Sequence, residues 1–316
     1  MERRRRMKGC DMMKRPAAAF ALAFAAISAF AEGETLVLSN SHGRVEVSRF
    51  AAQIVSYVPA GGSEVFFFPE RRDFGAFPKM HGGVPVCWPW FGGNGEPLDA
   101  PHGLARYRDW KVEEICNYPD FSRLRLTLES DESTKRIWPY DFQLTYTIVL
   151  ASRLSLSLVT ENTANPRREK DKWFEITQGF HPYFRVADAA KAVLGGLEGV
   201  RRDPCRPDEE GEVNEGPIRF RYGLSRVYNA GWSAYTLTDE VENRAVVIRA
   251  KGHRKLILFN SGVPRGPNDN MGDEDYRRYV CVEPAVIGRE CAVKVLPGRR
   301  CELQMTVESF GLTSGR

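Results

Sequence analysis

Apolar and polar residues alternate with a period of two through most of this chain. "SRLRLTLES" (122–130) puts Leu124, Leu126 and Leu128 on one side, with Arg123, Arg125, Thr127 and Glu129 on the other. "FQLTYTIVL" (142–150), "RLSLSLVTEN" (153–162), "RAVVIRA" (244–250), "KLILFN" (255–260), "CAVKVL" (291–296) and "CELQMTVESF" (301–310) repeat the pattern. Successive side chains of a strand point to opposite faces, so this period describes strands with one face buried. Turn residues separate the runs, and helical spacing is nearly absent; "DAAKAV" (188–193) offers one turn or two. The fold predicted is all-β, an antiparallel β-sandwich in which large sheets bury their apolar faces against each other.

The N-terminus follows a different logic. "MERRRRMKGCDMMKRP" is basic and irregular, the 14-residue "AAAFALAFAAISAF" is apolar, and Ala29 and Ala31 give a small-x-small pattern. That is the layout of a signal peptide over residues 1–31, too short in its apolar run for a membrane span of about 20 residues. The expectation is an exported chain, periplasmic or extracellular, with residues 32–316 as a single domain. Seven of the chain's 45 Lys and Arg and two of its 41 Asp and Glu fall in this leader, leaving 38 basic and 39 acidic residues. The basic balance therefore belongs to the leader, and nothing in the remainder points to a nucleic-acid partner. The six cysteines beyond the leader (87, 116, 205, 281, 291 and 301) form no C-x-x-C, and the histidines are scattered, so no metal or other cofactor is expected.

"CWPWFGGNGEPLDAPHGLARYRDW" (87–110) gathers three Trp, one Phe, one Tyr, one His and two Arg where Gly and Pro forbid regular structure. Two further places hold reactive side chains: "QGFHPYF" (178–184), and "YVCVEPA" (279–285), where Glu283 stands before Pro284 at what reads as a strand end. Singly, each has a bland reading: a histidine in a turn, a solvated strand end, an aromatic plug between sheets.

In order, "GGVPVCWPWFG", "HGLAR", "HPYF" and "VCVEPA" resemble the D-hexose-6-phosphate mutarotases (glucose-6-phosphate 1-epimerases), relatives of the aldose 1-epimerases. The resemblance runs from about residue 40 to the C-terminus and implies the galactose-mutarotase-like supersandwich with a sugar cleft. It implies an isomerase interconverting α and β anomers of a hexose: one group takes the proton of the C1 hydroxyl, another protonates the ring oxygen, and the ring reopens and recloses. By resemblance Glu283 is the general base and His181 the general acid, each worth roughly 10²–10⁴-fold. His81, His102, Arg106, Trp88 and Ser225 fall at substrate-contact positions, and Phe91, Trp90 and Tyr183 supply flat faces for a pyranose. The partner implied is a sugar or sugar phosphate.

Four positions depart from the family pattern. His81 stands where Arg usually precedes Gly-Gly-x-Pro, Pro101 where Gln precedes His-Gly, Ser225 where Asp is common, and Asn270 at an acidic position. Since phosphate is normally gripped by several cations, loss of the first Arg and the leader together favour an unphosphorylated sugar. A non-catalytic carbohydrate-binding protein on the same scaffold is the alternative. A glycosidase is a weaker one, since it needs a second carboxylate about 5–10 Å from Glu283.

Overall fold

The computed structural model describes residues 35–70, 80–93, 101–204, 211–231, 233–266 and 269–312. The expected leader and Cys205 lie outside these residues, as do parts of the loops at 92–101 and 203–217. Among the described residues, strands dominate, with one short α-helix (Glu132–Lys135) and brief 3₁₀ turns. "DAAKAV" makes a single 3₁₀ turn over Ala189–Lys191, capped by Asp188, whose side chain accepts from the Ala190 N–H. No helix among the described residues is long and apolar enough to cross a membrane.

The alternating runs assemble as their period requires. A nine-stranded antiparallel sheet runs in the spatial order 218–219, 193–195, 233–239, 244–251, 300–311, 154–162, 142–150, 122–129 and 111–117. Phe142–Leu150 and Leu154–Asn162 alternate buried and half-buried residues without a break. Leu124, Leu126, Leu144, Tyr146, Ile148, Leu156, Leu158, Leu303 and Met305 form the inner face. Each fully buried aliphatic side chain there contributes about 1.5–3 kcal/mol.

A second sheet lies across that face. Its six strands are β1 (Val86–Cys87), β2 (Gln178–Phe180), β3 (Tyr183–Arg185), β4 (Ser225–Tyr228), β5 (Lys255–Phe259) and β6 (Tyr279–Val286). The spatial order is β4-β5-β6-β2-β1, with β3 also paired to β6. Contact between the sheets is aromatic: Phe180 meets Tyr146 with ring centroids 5.8 Å apart, and Trp88 meets Phe142 at 4.5 Å.

Two expectations change here. Glu283 is not at a strand end, because β6 continues through Pro284 to Val286 and is buried along its whole length. Proline removes a ladder donor and is rarely found inside a sheet. The neighbouring strand explains its tolerance. β2 pairs with β6 at Gln178↔Val286 and Gly179↔Ala285, and β3 resumes at Tyr183↔Cys281. In the gap between, Phe180, His181 and Pro182 face Pro284, Glu283 and Val282, so both prolines fall where the ladder is already open. The His181 N–H turns instead to the Pro85 carbonyl, at 3.0 Å.

Trp88 is the second change. It is fully buried, edge-on to Trp138 at 5.0 Å and against Phe142, so it presents no face to a cleft. The aromatic stretch is therefore two-sided: Trp88 plugs the space between sheets while later residues turn outward. Replacing Trp88 by Ala should cost about 3–5 kcal/mol of unfolding free energy, measured by denaturant titration. A loss below about 1 kcal/mol, the size of an ordinary surface change, would contradict its place in the core.

Candidate active site

Period-two geometry lays the floor. On β6, Cys281 and Glu283 share a face; on β5 their cross-strand partners are Phe259 and Ile257. His181 and Tyr183 continue that face beyond the break. Their rings stack at 5.0 Å and 15°. Phe91 lies nearly parallel to the His181 ring, at 6.2 Å and 10°, and His102 meets both rings edge-on. Over this floor sits a cavity of about 190 Å³ lined by His81, Phe91, His102, Arg106, His181, Tyr183, Ile257, Phe259, Arg265 and Glu283.

The irregular stretch is held by backbone bonds that a strand would not make. Trp88 N–H donates to the His102 carbonyl (3.1 Å), His102 N–H to Gly92 (2.8 Å), and Phe91 N–H to Thr177 Oγ1 (2.8 Å). Gly103 sits at φ +84°, where a Cβ would lie 2.0 Å from the Trp88 carbonyl oxygen; no other residue fits this crossing. Gly179 has a related purpose, since a Cβ there would meet the Phe91 ring at 2.7 Å. These two glycines let Phe91 and His102 reach the cavity.

His181 Nε2 lies 3.5 Å from Glu283 Oε1, with the two side chains 10 % and 2 % exposed. Burial acts against charge on both. It holds His181 well below the ordinary imidazole value, with His102, Arg106 and His81 adding to the effect. It also holds Glu283 well above the ordinary carboxylate value, offset in part by Arg265. Burial thus favours an uncharged imidazole beside a protonated carboxyl, a pair in which one proton transfer makes an acid of His181 and a base of Glu283.

His81 is fixed from two directions. Its backbone N–H donates to Asn270 Oδ1 and its carbonyl accepts from Asn270 Nδ2, both at 2.9 Å. Its Nδ1 lies 2.9 Å from Asp269 Oδ1. Asp269 resists protonation through its hydrogen bond to His81, although burial pushes the other way. As an ionised acceptor it accepts a hydrogen bond from Nδ1–H, which leaves Nε2 a lone-pair acceptor. Burial lowers the His81 pKa further than Asp269 raises it. Asn270 explains its own departure from the family pattern: a carboxylate there could accept from the His81 N–H but could not donate to its carbonyl.

Of the residues expected at the site, His81, His102, Arg106, His181 and Glu283 line one cavity, together with Phe91 and Tyr183. Trp88 lies beneath it. Ser225 is not brought in; at the start of the outer strand β4 it borders a separate hollow with Asp203, Arg202 and Arg226. Sequence reasoning missed Arg265, in the Gly/Pro-rich loop "SGVPRGPND" after β5, where no periodicity marks it. Its guanidinium lies 5.6 Å from the centre of the Phe259 ring. Arg106 is buried and donates to the Met80 carbonyl at 2.7 Å. Neither arginine forms a salt bridge with a carboxylate among the described residues. Three potential metal donors also meet on the floor: one atom each of His181, Cys281 and Glu283, all within 4.8 Å of one another. The five described cysteines, 87, 116, 281, 291 and 301, are unpaired thiols.

Comparison with known proteins extends this picture. The aldose 1-epimerase family model matches residues 34–308. The "Putative glucose-6-phosphate 1-epimerase" of Escherichia coli K12 is 29 % identical over 255 residues, covering 80 % of this chain and 83 % of that protein. The protein of the same name from Cenchrus ciliaris is 26 % identical over 258 residues, covering 79 % of this chain and 77 % of its own length. Among solved structures, a Salmonella typhimurium protein described as a mutarotase superposes with a TM-score of 0.78 at 24 % identity, over 89 % of this chain and 91 % of that one. A galactose mutarotase related enzyme of Lactobacillus acidophilus gives 0.69 at 15 % identity, over 89 % and 99 %. The fold is that of the galactose mutarotase-like structures, as the resemblance implied.

The electrostatics can be tested directly. Burial, then Arg106, His81 and Arg265, lowers the His102 pKa to about 3. Its imidazole signals in an NMR titration should therefore stay those of the neutral ring from pH 8 down to about pH 5. Protonation of His102 at the ordinary value of 6.5 would contradict the buried, cation-flanked setting.

Proposed function

Because the chain belongs to the aldose 1-epimerase family, we propose that it interconverts the α and β anomers of a hexose through His181 and Glu283. The observation that carries this reading is the 3.5 Å separation of imidazole and carboxyl at the floor of one cavity. Ring opening needs one proton acceptor at the C1 hydroxyl and one donor at the ring oxygen. Both oxygens are bonded to the same carbon, so the two groups must be close neighbours. A pair holding a single proton supplies one of each. Once the shared proton has passed from Glu283 to His181, Glu283 takes the hydroxyl proton while His181 gives one to the ring oxygen, the C1–C2 bond rotates, and closure returns both protons. The cycle consumes nothing, so the pair is restored without exchange with solvent.

The substrate proposed carries a phosphate. Two observations favour it over the unphosphorylated sugar that the missing Arg at position 81 suggested. Arg265 supplies, from another loop, a second guanidinium beside Arg106. Neither forms a salt bridge with a carboxylate among the described residues, and Arg106 is buried, where a cation is normally paired. His81, with Nε2 as an acceptor, suits a sugar hydroxyl better than a phosphate oxygen. Export, proposed on the apolar leader, is an independent reading, which N-terminal sequencing of secreted chain would test without bearing on the substrate.

Exchange NMR on equilibrated glucose, galactose and glucose 6-phosphate tests the reading. Acceleration of the phosphate is expected, with a loss of roughly 10²–10⁴-fold in Glu283→Gln. Arg265→Ala should lower kcat/KM for the phosphorylated sugar by about 10- to 100-fold, the size of one lost charge-assisted contact, and lower any activity on glucose by less. Acceleration of the free sugars alone would overturn the phosphate assignment and keep the mutarotase. Sugar binding without acceleration would replace the enzyme with a binding protein.

The enzymic rate should also hold on the acid side of neutrality. A second proton enters the pair only well below 6.5 and the last leaves only well above 4.5. With the spontaneous rate subtracted, kcat/KM should show no acid-side fall centred near 6.5; such a fall would mean that His181 titrates as an ordinary imidazole.

A further inference from the structure

We propose that His181, Cys281 and Glu283 form a binding site for a thiophilic divalent cation of the zinc and cadmium class, and that occupancy blocks the acid–base pair. The blocking consequence rests on the mutarotase reading above; the binding does not.

Donor chemistry and spacing carry the inference. One imidazole nitrogen, one thiol sulfur and one carboxylate oxygen lie within 4.8 Å of one another, and the nitrogen–oxygen separation is 3.5 Å. Tetrahedral zinc, with bonds of about 2.0–2.3 Å, sets its donors roughly 3.3–3.7 Å apart. The cluster is therefore within about 1 Å of a three-donor site, with the fourth position left to the cavity. This set of N, S and O donors suits a borderline-soft metal. Calcium and magnesium want six or more oxygens, which the apolar surroundings do not offer.

The fold builds the triangle without effort. Cys281 and Glu283 are two apart on β6 and share its floor-side face, and the break after β2 puts His181 in register with Glu283. Cys281 is not needed for the proposed ring opening. It lies beside Glu283 on that face, covered by Tyr183, Met271, Tyr279 and Phe67, and it does not line the cavity. A cation entering from the cavity would meet His181 and Glu283 first and draw on the sulfur beside them. Binding displaces the thiol proton and the carboxyl proton to solvent. The resulting thiolate and carboxylate cancel the charge of a divalent ion, which matters beside Arg106 and Arg265.

The test uses the purified chain, fully reduced, titrated with cadmium while the ultraviolet thiolate-to-cadmium charge-transfer band is followed. Other cysteines contribute a background, so the readout is the difference between variants. The chain should show one more equivalent of tight cadmium than Cys281→Ala. Glu283→Gln, which keeps every thiol, should weaken that same equivalent by roughly tenfold or more. In parallel, zinc should inhibit anomer exchange of the unmodified chain. Cys281→Ala should retain the basal rate and need about tenfold more zinc for the same inhibition.

Identical cadmium titrations of the chain and of both variants would overturn the proposal, even where exchange activity is present. A Cys281-dependent band in a chain without exchange activity would support the metal site and refute the mutarotase reading, so the two failures are distinguishable. Should Cys281→Ala fold poorly, Cys281→Ser and the Glu283→Gln difference give the same discrimination.

Discussion

Everything at the site depends on one expensive arrangement: a carboxyl and an imidazole buried side by side in the middle of a sheet. Neither can be charged cheaply there, because water is excluded and the dielectric is low. The cost is avoided by a shared proton, which lets both groups stay formally neutral while keeping one donor and one acceptor between them. In the proposed reaction, moving the proton across 3.5 Å would produce the charged tautomer only when a polar substrate is there to solvate it. Burial that would be a liability for stability is thus what keeps the pair poised.

The sheet pays a small structural cost for this pair. A continuous neighbour to β6 would have filled its ladder and turned the backbone at position 181 into ordinary strand. Instead, the ladder opens for three residues, and both Pro182 and Pro284 sit in the opening. Their missing N–H groups forfeit no bond to the facing strand, and the imidazole keeps the register that sets it opposite Glu283. The strands on either side are bound at Gly179↔Ala285 and Tyr183↔Cys281, so the break is held rigidly from both ends.

Much of this was legible before any coordinates. The period-two runs marked the strands to within a residue or two, because a half-buried strand has no other way to write itself. The motifs around His102, His181 and Glu283 identified three of the cavity's walls. The sequence could not say which aromatic faced where: Trp88 and Phe91 are three residues apart in the same irregular loop, yet one is core and the other lines the cavity. Periodicity fails there because turns at Gly and Pro reset the side-chain direction. Arg265 was invisible for a related reason, since a single arginine in a Pro/Gly loop carries no pattern until the loop folds back over β5. Ser225 was misjudged because a position aligned by motif on an outer strand need not point toward the central cavity.

The departures from the family pattern also make more sense together than singly. Reading position 81 alone, the change from Arg to His is a lost cation. In the structure it comes with Asn270, whose amide grips both backbone groups of His81, and with Asp269, which fixes the imidazole tautomer. Asn at position 270 suits that grip, because its amide both donates and accepts where a carboxylate only accepts. The imidazole then offers the cavity an acceptor in place of a guanidinium. The cationic character is kept by Arg106 and Arg265, which approach from other loops. Charge and hydrogen-bonding capacity have thus been redistributed around the same acid–base floor. A substrate with both hydroxyls and an anionic group would meet complementary partners for each, whereas a neutral sugar would leave the buried Arg106 without a counter-charge and Arg265 with only Asp269 near it. That asymmetry, more than any single substituted position, is what favours the phosphorylated sugar.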